Sequence, residues 1–400
     1  MITPRSSTRL ATSVRVTHDV VTRPTKRLKV TAAAERTTED LAVANSPAKT
    51  TRKLTGRTKE EPRPEEFRTR ISSPWKVGVH VSAAGGVENA IQNAAELGAN
   101  SFALFLKSQR KWSSPPLKKK SISAFKSRMN AFGYSPSEVL PHGSYLINLG
   151  NPDQEKRRKS YDCFLEDLQR CEQLGLVLYN FHPGSTVGLT TRDASIALIA
   201  DCLNRAHKAT NSVVTVIENM AGTGNIIGSA FADLADIIRR VEDKSRVGVC
   251  LDTCHMFAAG YDVSTMEGWE STSEFFAVGL SYLRGMHLND SKHRWDLDEI
   301  ATKTLACLPA FRRILSDHRL QNIPIVIETP SFESTEIWTS EVEVLNQLSS
   351  MGDTDEDRAA VAAIETKIKG VVRRVSASAN AAAKSGKKTI SKSTVKHGAK

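Results

Sequence analysis

The sequence predicts an α/β fold, a closed (β/α)8 or TIM barrel with unstructured tails, and three observations lead there. Between residues 74 and 350, short apolar runs rich in β-branched residues alternate with longer stretches of helical period. The runs number eight across this span, the size of one closed barrel. Six of them deliver a His, Glu or Asp at their far end, where such barrels keep their chemistry. An open doubly wound sheet also alternates strands with helices. The count of eight and the row of strand-end residues favour the closed form.

The runs are Lys76–Val81, Ser101–Leu106, Glu138–Pro141, Val177–Phe181, Val213–Ile217, Val247–Leu251, Leu283–Leu288 and Ile323–Ile327. Helical patterns separate them, among them Val87–Leu97, Phe164–Leu174, Ala194–Ala209 and Ala230–Val241. The third run leads into His142. The fourth leads into His182, the fifth into Glu218, and the sixth into Asp252 with His255 three residues on. The seventh delivers His287 and the eighth leads into Glu328.

Residues 1–73 are rich in Thr, Arg, Ala and Pro without a sustained period, and read as a disordered basic tail. Residues 351–400 begin with an acidic patch and a short helix, then run into a disordered Lys/Ser/Ala tail. The net charge is +11 over 400 residues. No acid follows Glu365, and ten Lys and Arg lie from Lys367 to Lys400, so this tail carries +10 of the +11. Such a tail binds nucleic acid or serves as an import address, or is simply solvated. The stretch from Pro24 to Val30 resembles a nuclear import signal, and Arg5, Arg9 and Arg15 among Ser and Thr resemble a mitochondrial transit segment. The expected location is the nucleus, with the mitochondrion as a second destination. The six cysteines are scattered with no CxxC pair, which argues against both a cysteine zinc finger and a disulfide framework. No apolar run approaches the length of a membrane span, so no membrane partner is expected.

Each strand-end residue has an ordinary explanation. A lone His is more often a hydrogen-bonded structural residue, and an acid often caps the next helix. Together those explanations fail. Three carboxylates crowded in a partly dry barrel mouth repel and are costly to desolvate, and cations remove that cost. Mixed imidazole and carboxylate donors favour zinc, with manganese or iron as alternatives. Seven donors exceed one tetrahedral zinc, so a cluster of two or three metals with a bridging carboxylate is expected. Close metal pairs are the usual device for cleaving phosphate esters.

The stretches His80–Gly86, Leu140–Gly150, Arg170–Gly175, Asn180–Ser185, Val216–Asn219, Val247–His255 and Met286–Asp290 resemble the endonuclease IV family of apurinic/apyrimidinic endonucleases. They span the barrel. The resemblance implies a trinuclear zinc site in a DNA repair enzyme. His142, His182 and Glu218 would hold the first zinc. Glu218, as bridge, would join Asp252, His287 and Glu328 around the second, and His255 would begin the third. It further implies hydrolysis of the phosphodiester 5′ to an abasic sugar in duplex DNA, leaving a 3′-hydroxyl and a 5′-deoxyribose phosphate, together with 3′-phosphodiesterase activity. Arg110, Tyr145 and Leu146 match the family's DNA-penetrating loops. A single barrel face clasping a kinked duplex needs no second subunit, so a monomer is expected.

One segment departs from the family. After the seventh strand the chain reads Lys292-His-Arg-Trp-Asp-Leu-Asp through Thr304, which is short and lacks a Gly-rich turn. Asp296 and Asp298 fall on the positions of the remaining third-zinc ligands, with His293 as a substitute. Either the site is rebuilt on these residues or the third metal is weakly held. Two other functions compete with the repair nuclease. A metal-dependent sugar isomerase or epimerase uses similar donors on a similar barrel. A DNA-binding descendant with an impaired site would fit the altered 292–304 segment.

Overall fold

The computed structural model describes residues 61–271, 279–290, 308–329, 335–352 and 354–393. Seven strands form one all-parallel sheet: β1 Lys76–His80, β2 Ser101–Ala103, β3 Leu178–Phe181, β4 Val214–Glu218, β5 Val247–Asp252, β6 Leu283–His287 and β7 Pro324–Ile327. Their order is β2-β1-β7-β6-β5-β4-β3.

The third expected strand is the exception. Pro136–Glu138 makes a 3-10 turn, and the residues after it form only single parallel bridges, Phe102 to Val139, Phe105 to His142 and His142 to Asn180. The reason is Pro141, which has no N–H to give to a ladder. These bridges nonetheless span the gap between β2 and β3. Leu140 N and His142 N each donate at 3.0 Å to Phe102 and Leu104 carbonyls, while Asn180 N donates to Pro141 O at 2.8 Å. Residues 139–142 therefore close the ring, and the architecture is the TIM barrel that the sequence predicts.

Strand periodicity explains how the interior is built. A small inner cluster of Leu140, Leu178, Val216 and Cys250 fills the barrel. The main core lies outside the sheet, where side chains such as Val77, Val79, Ile217, Val249 and Ile325 meet the helices. Because side chains alternate across a strand, the residue two positions beyond each inner one also faces inward. Two on from Leu140, Leu178, Val216 and Cys250 stand His142, Asn180, Glu218 and Asp252. Gly285 belongs to the same inner layer, for a Cβ there would lie 2.7 Å from Leu140, and His287 is two beyond it. An apolar layer thus supports a polar one at the C-terminal mouth.

The surrounding helices match the predicted segments closely. Asn89–Glu96, Arg192–Lys208 and Phe231–Arg240 differ from expectation by one to two residues at each end. Gln154–Leu174 starts ten residues earlier than its apolar pattern, at Asp153, whose side chain accepts from Glu155 N and Lys156 N.

Parts of both expected tails are ordered. Residues 61–73 strap the barrel: Arg70 donates to the Phe132 and Gly133 carbonyls at 2.8 Å and lies over the Tyr134 ring, while Phe67 packs edge-on against Phe132. At the other end, Asp355–Ser393 is a single helix of 39 residues. It buries Val361, Ile368 and Val371, with Ile364 partly buried, against the barrel. These positions repeat every three to four residues, which makes an apolar stripe on one helix face. Arg374 forms an ion pair with Glu336, the first residue of the Glu336–Leu348 helix. Among the described residues no helix is long and apolar enough to cross a membrane.

Candidate metal centre

Glu218 sits at the hub of the polar layer. Its carboxylate lies 3.3 Å from His142 Nε2, 3.4 Å from His182 Nε2, 3.2 Å from His255 Nδ1 and 3.3 Å from His287 Nδ1. Asp252 and Glu328 flank the same imidazole, at 4.0 and 3.6 Å from His287 Nδ1. All seven of these strand-end residues therefore converge. Three overlapping groups bring donor atoms within 4.8 Å of one another: His142, Glu218 and His287; Glu218, Asp252 and His255; Asp252, His287 and Glu328. Asp296 and Asp298, with His293, lie outside the described residues. His255 groups with Glu218 and Asp252 rather than standing apart.

The electrostatics follow from this crowding. Burial alone pushes Glu218 up, but the imidazoles of His287 and His182, with hydrogen bonds from His142 and His182, hold it well below the usual carboxylate range. Desolvation lowers His287, yet Cys250, Glu328 and Glu218 around it drive it well above its usual value. His255 overcomes its own desolvation through Asp252 and Glu218 and rises to about 9. Asp252 moves up, chiefly through burial and then the repulsion of Glu218 and Glu328. Burial instead dominates at His182 and His80, whose values fall below the usual imidazole range.

A direct sign that the residues fit a cation is His287. It is fully buried, and its Nδ1 faces Glu218, Glu328 and Asp252 at 3.3, 3.6 and 4.0 Å without a well-formed hydrogen bond to any of them. A cation facing Nδ1, between Glu218, Asp252 and Glu328, would satisfy that atom and relieve the carboxylate repulsion together.

Four supporting residues were not singled out for a role from the sequence. His80 Nδ1 lies 3.2 Å from Glu328 Oε1. Asn180 donates to Glu218 Oε2 at 2.6 Å. Asn219 Oδ1 accepts from Asp252 N at 2.6 Å. Asn289 donates to Asp252 Oδ2 at 2.6 Å and to Glu328 Oε2 at 3.1 Å, and accepts from Glu328 N. Asn180 and Asn289 thus hold all three carboxylates of the centre, while Asn219 grips the backbone of Asp252. The signal for them is local: each buried Asn is next to, or two residues from, a ligand-type residue at a strand end.

The loop residues stand at the mouth. The Tyr145 ring lies 5.4 Å from that of His142 and 5.6 Å from that of His182, and is 56% exposed; Leu146 is 36% exposed. Arg110 is exposed on the loop after β2, and Ser144 Oγ donates to its neighbour Gln109 O at 2.8 Å, which ties the two loops together.

A protein-family model described as a xylose isomerase-like TIM barrel matches residues 91–348. A probable endonuclease 4 of Chlorobium phaeovibrioides (strain DSM 265 / 1930) is 49% identical over 279 residues, covering 68% of this chain and 99% of that protein. The apurinic-apyrimidinic endonuclease 1 of Plasmodium berghei (strain Anka) is 48% identical over 279 residues, again 68% of this chain. The chain spans about half of that relative's length, 55%. Among solved structures, endonuclease IV from Thermus thermophilus matches with a TM-score of 0.59 at 30% identity, covering 68% of this chain and 98% of that one.

Proposed function

Because the chain belongs to the endonuclease IV family of apurinic/apyrimidinic endonucleases, we propose that it cleaves duplex DNA 5′ to abasic sites in base excision repair. The products would be a 3′-hydroxyl and a 5′-deoxyribose phosphate, and 3′-phosphodiesterase activity would accompany cleavage. The observation that carries this reading is the convergence of four imidazoles and two further carboxylates on Glu218, with His287 facing all three acids. A sugar isomerase or epimerase would need one or two metals and no DNA-facing loops. The high identity to named endonucleases also favours the nuclease.

The donor set fits zinc. His142, His182 and Glu218 would hold one ion, and Glu218, Asp252, His287 and Glu328 a second. A third would rest on His255 with Asp296 and Asp298, and be the least tightly held. Such ions, when bound, activate water at neutral pH and neutralise phosphate charge. The protein's own contribution is placement. Asn180 and Asn289 fix the carboxylates, and Asn219 the backbone of Asp252, before any ligand arrives. Tyr145 and Leu146, with Arg110, would wedge into the gap left by the missing base and steady the extruded sugar over the centre. The enzyme would act as a monomer, in the nucleus and secondarily in the mitochondrion.

The test is a duplex carrying one tetrahydrofuran abasic analogue, incubated with the purified protein at near-physiological salt. A single nick 5′ to the analogue is expected, and none in the undamaged duplex. An intact abasic strand after prolonged incubation with zinc-loaded protein would overturn the proposal. Salt must be fixed, because phosphate contacts make binding strongly salt-dependent.

Asn289 provides a second check. Asn289→Ala leaves Asp252 and Glu328 without their shared donor, and is expected to weaken zinc affinity by about 10–100-fold, read by competition with a chromophoric chelator. Wild-type affinity in the variant would show that the carboxylates hold their places unaided.

A further inference from the structure

A charged cluster is buried between β3 and the Gln154–Leu174 helix, where charge is a poor source of stability. Lys107 and Asp167 keep only 1% and 3% of their side chains exposed, and lie 3.2 Å apart. Lys107 follows β2, and its Nζ also donates to Cys163 O at 2.8 Å and to Glu166 Oε2 at 2.9 Å. Cys163, Glu166, Asp167 and Arg170 stand three to four residues apart, so one face of the helix supplies them all. A buried ion pair gains little over apolar residues of the same volume, and often loses to them. What it can supply instead is a fixed position.

The cluster points two ways. Arg170 donates to Glu166 Oε1 at 2.6 Å and to the Ser114 and Pro115 carbonyls at 3.1 and 2.7 Å, which anchors the far end of the segment that Lys107 begins. Asp167 turns toward the sheet, where its Oδ2 accepts from Tyr179 Oη at 2.7 Å. Tyr179 is fully buried on β3 between the inward-facing Leu178 and Asn180, so its ring faces outward to the helix and packs on Phe164. The phenol oxygen lies against the backbone of Gly143, because a Cβ there would stand only 2.7 Å from it.

Gly143 in turn orients His142. Its carbonyl accepts from His142 Nδ1 at 2.8 Å, which leaves Nε2 to face Glu218, and its N–H donates to Asn180 O at 2.8 Å. His142 has no full strand beneath it, only single bridges to Phe105 and Asn180. A ligand on so short a run needs a stop behind its backbone. We propose that Tyr179, clamped by Asp167 and Lys107, is a positioning residue for His142: the phenol sets where the Gly143 backbone rests, and so where the imidazole aims. This rests on the reading of the centre as a zinc site. The buried amides hold the carboxylates from inside the barrel, whereas Tyr179 acts on an imidazole from outside it.

Tyr179→Phe tests this on the full chain, with Tyr134→Phe as its control. Each removes one buried hydroxyl. Tyr134 donates its own to Ala99 O at 2.8 Å, just ahead of β2 and so at the end of the barrel away from the mouth. Both variants should melt slightly below wild type and by similar amounts, since each loses one buried hydrogen bond. In Tyr179→Phe alone, one zinc ion per chain should be held about tenfold more weakly, read by competition with a chromophoric chelator. The cobalt-loaded form of the same variant should show a shifted visible spectrum, because ligand geometry sets its bands. Wild-type zinc affinity in Tyr179→Phe would overturn the proposal. An equal loss in both variants would overturn it too, as general loosening of the barrel. The wild-type titration separates the two levels: a wild-type chain that takes up no zinc defeats the metal-centre reading, whereas equally tight zinc in wild type and Tyr179→Phe defeats the role of Tyr179 alone.

Discussion

Glu218→Gln is expected to lose nearly all cleavage, with kcat/KM for an abasic duplex down by about 10²–10⁴-fold, the rate equivalent of breaking one buried ion pair. The substitution keeps the shape of the side chain and the reach to Asn180. It removes the single negative charge that four imidazoles share at 3.2–3.4 Å. The amide would also present N–H groups to imidazole nitrogens, or to cations, that need an acceptor. Bound metal should fall alongside activity, by at least one ion per chain, when the purified variant is analysed by plasma emission. A variant with full metal content and wild-type kcat would remove Glu218 from the bridging position.

Stripping metal with a strong chelator has the next largest effect. Nicking should cease and return on adding zinc. The stripped protein should also melt lower, by about 10 °C, since an ion at a thousandfold excess over its dissociation constant adds about 4 kcal/mol to the folded state. The source is the polar layer itself. Without a cation, Glu218, Asp252 and Glu328 repel within one buried cluster. Unchanged nicking in chelator would show that this cluster works without an ion. The same titration reports on the third site: three tightly held zinc ions per chain would show that the 292–304 segment rebuilds it fully.

The sequence made the centre legible because strand periodicity is strict. Once a strand's inner residues are known, the residue at its mouth is known too, and His142, Glu218, Asp252 and His287 follow from Leu140, Val216, Cys250 and Gly285. His182 and Glu328 stood out as ligand types closing apolar runs. The buried amides did not, because Asn is read as a turn residue, and only burial beside a carboxylate reveals its role. The run before His142 looked like a strand because its apolar residues are spaced as in one, yet Pro141 breaks the ladder. The strap at 61–73 is held by Arg70 and Phe67 through contacts 60 or more residues away, which no local pattern announces. In the C-terminal segment only an acidic patch and a short helix were read, because the Lys, Ser and Ala beyond look like solvated chain and the stripe from Val361 to Val371 shows its role only once it packs.

That helix has a polarity of its own. Asp355, Glu356 and Asp357 open it, which matches side-chain charge to the positive end of the backbone dipole. The Arg374–Glu336 pair fixes its direction, because Glu336 begins the helix that starts beside the barrel mouth, where Trp338 donates to Thr329 O. The helix therefore climbs toward the barrel mouth. It carries Arg373 and Arg374 up to the level of the mouth, where a polyanion drifting nearby would meet positive charge before any contact forms.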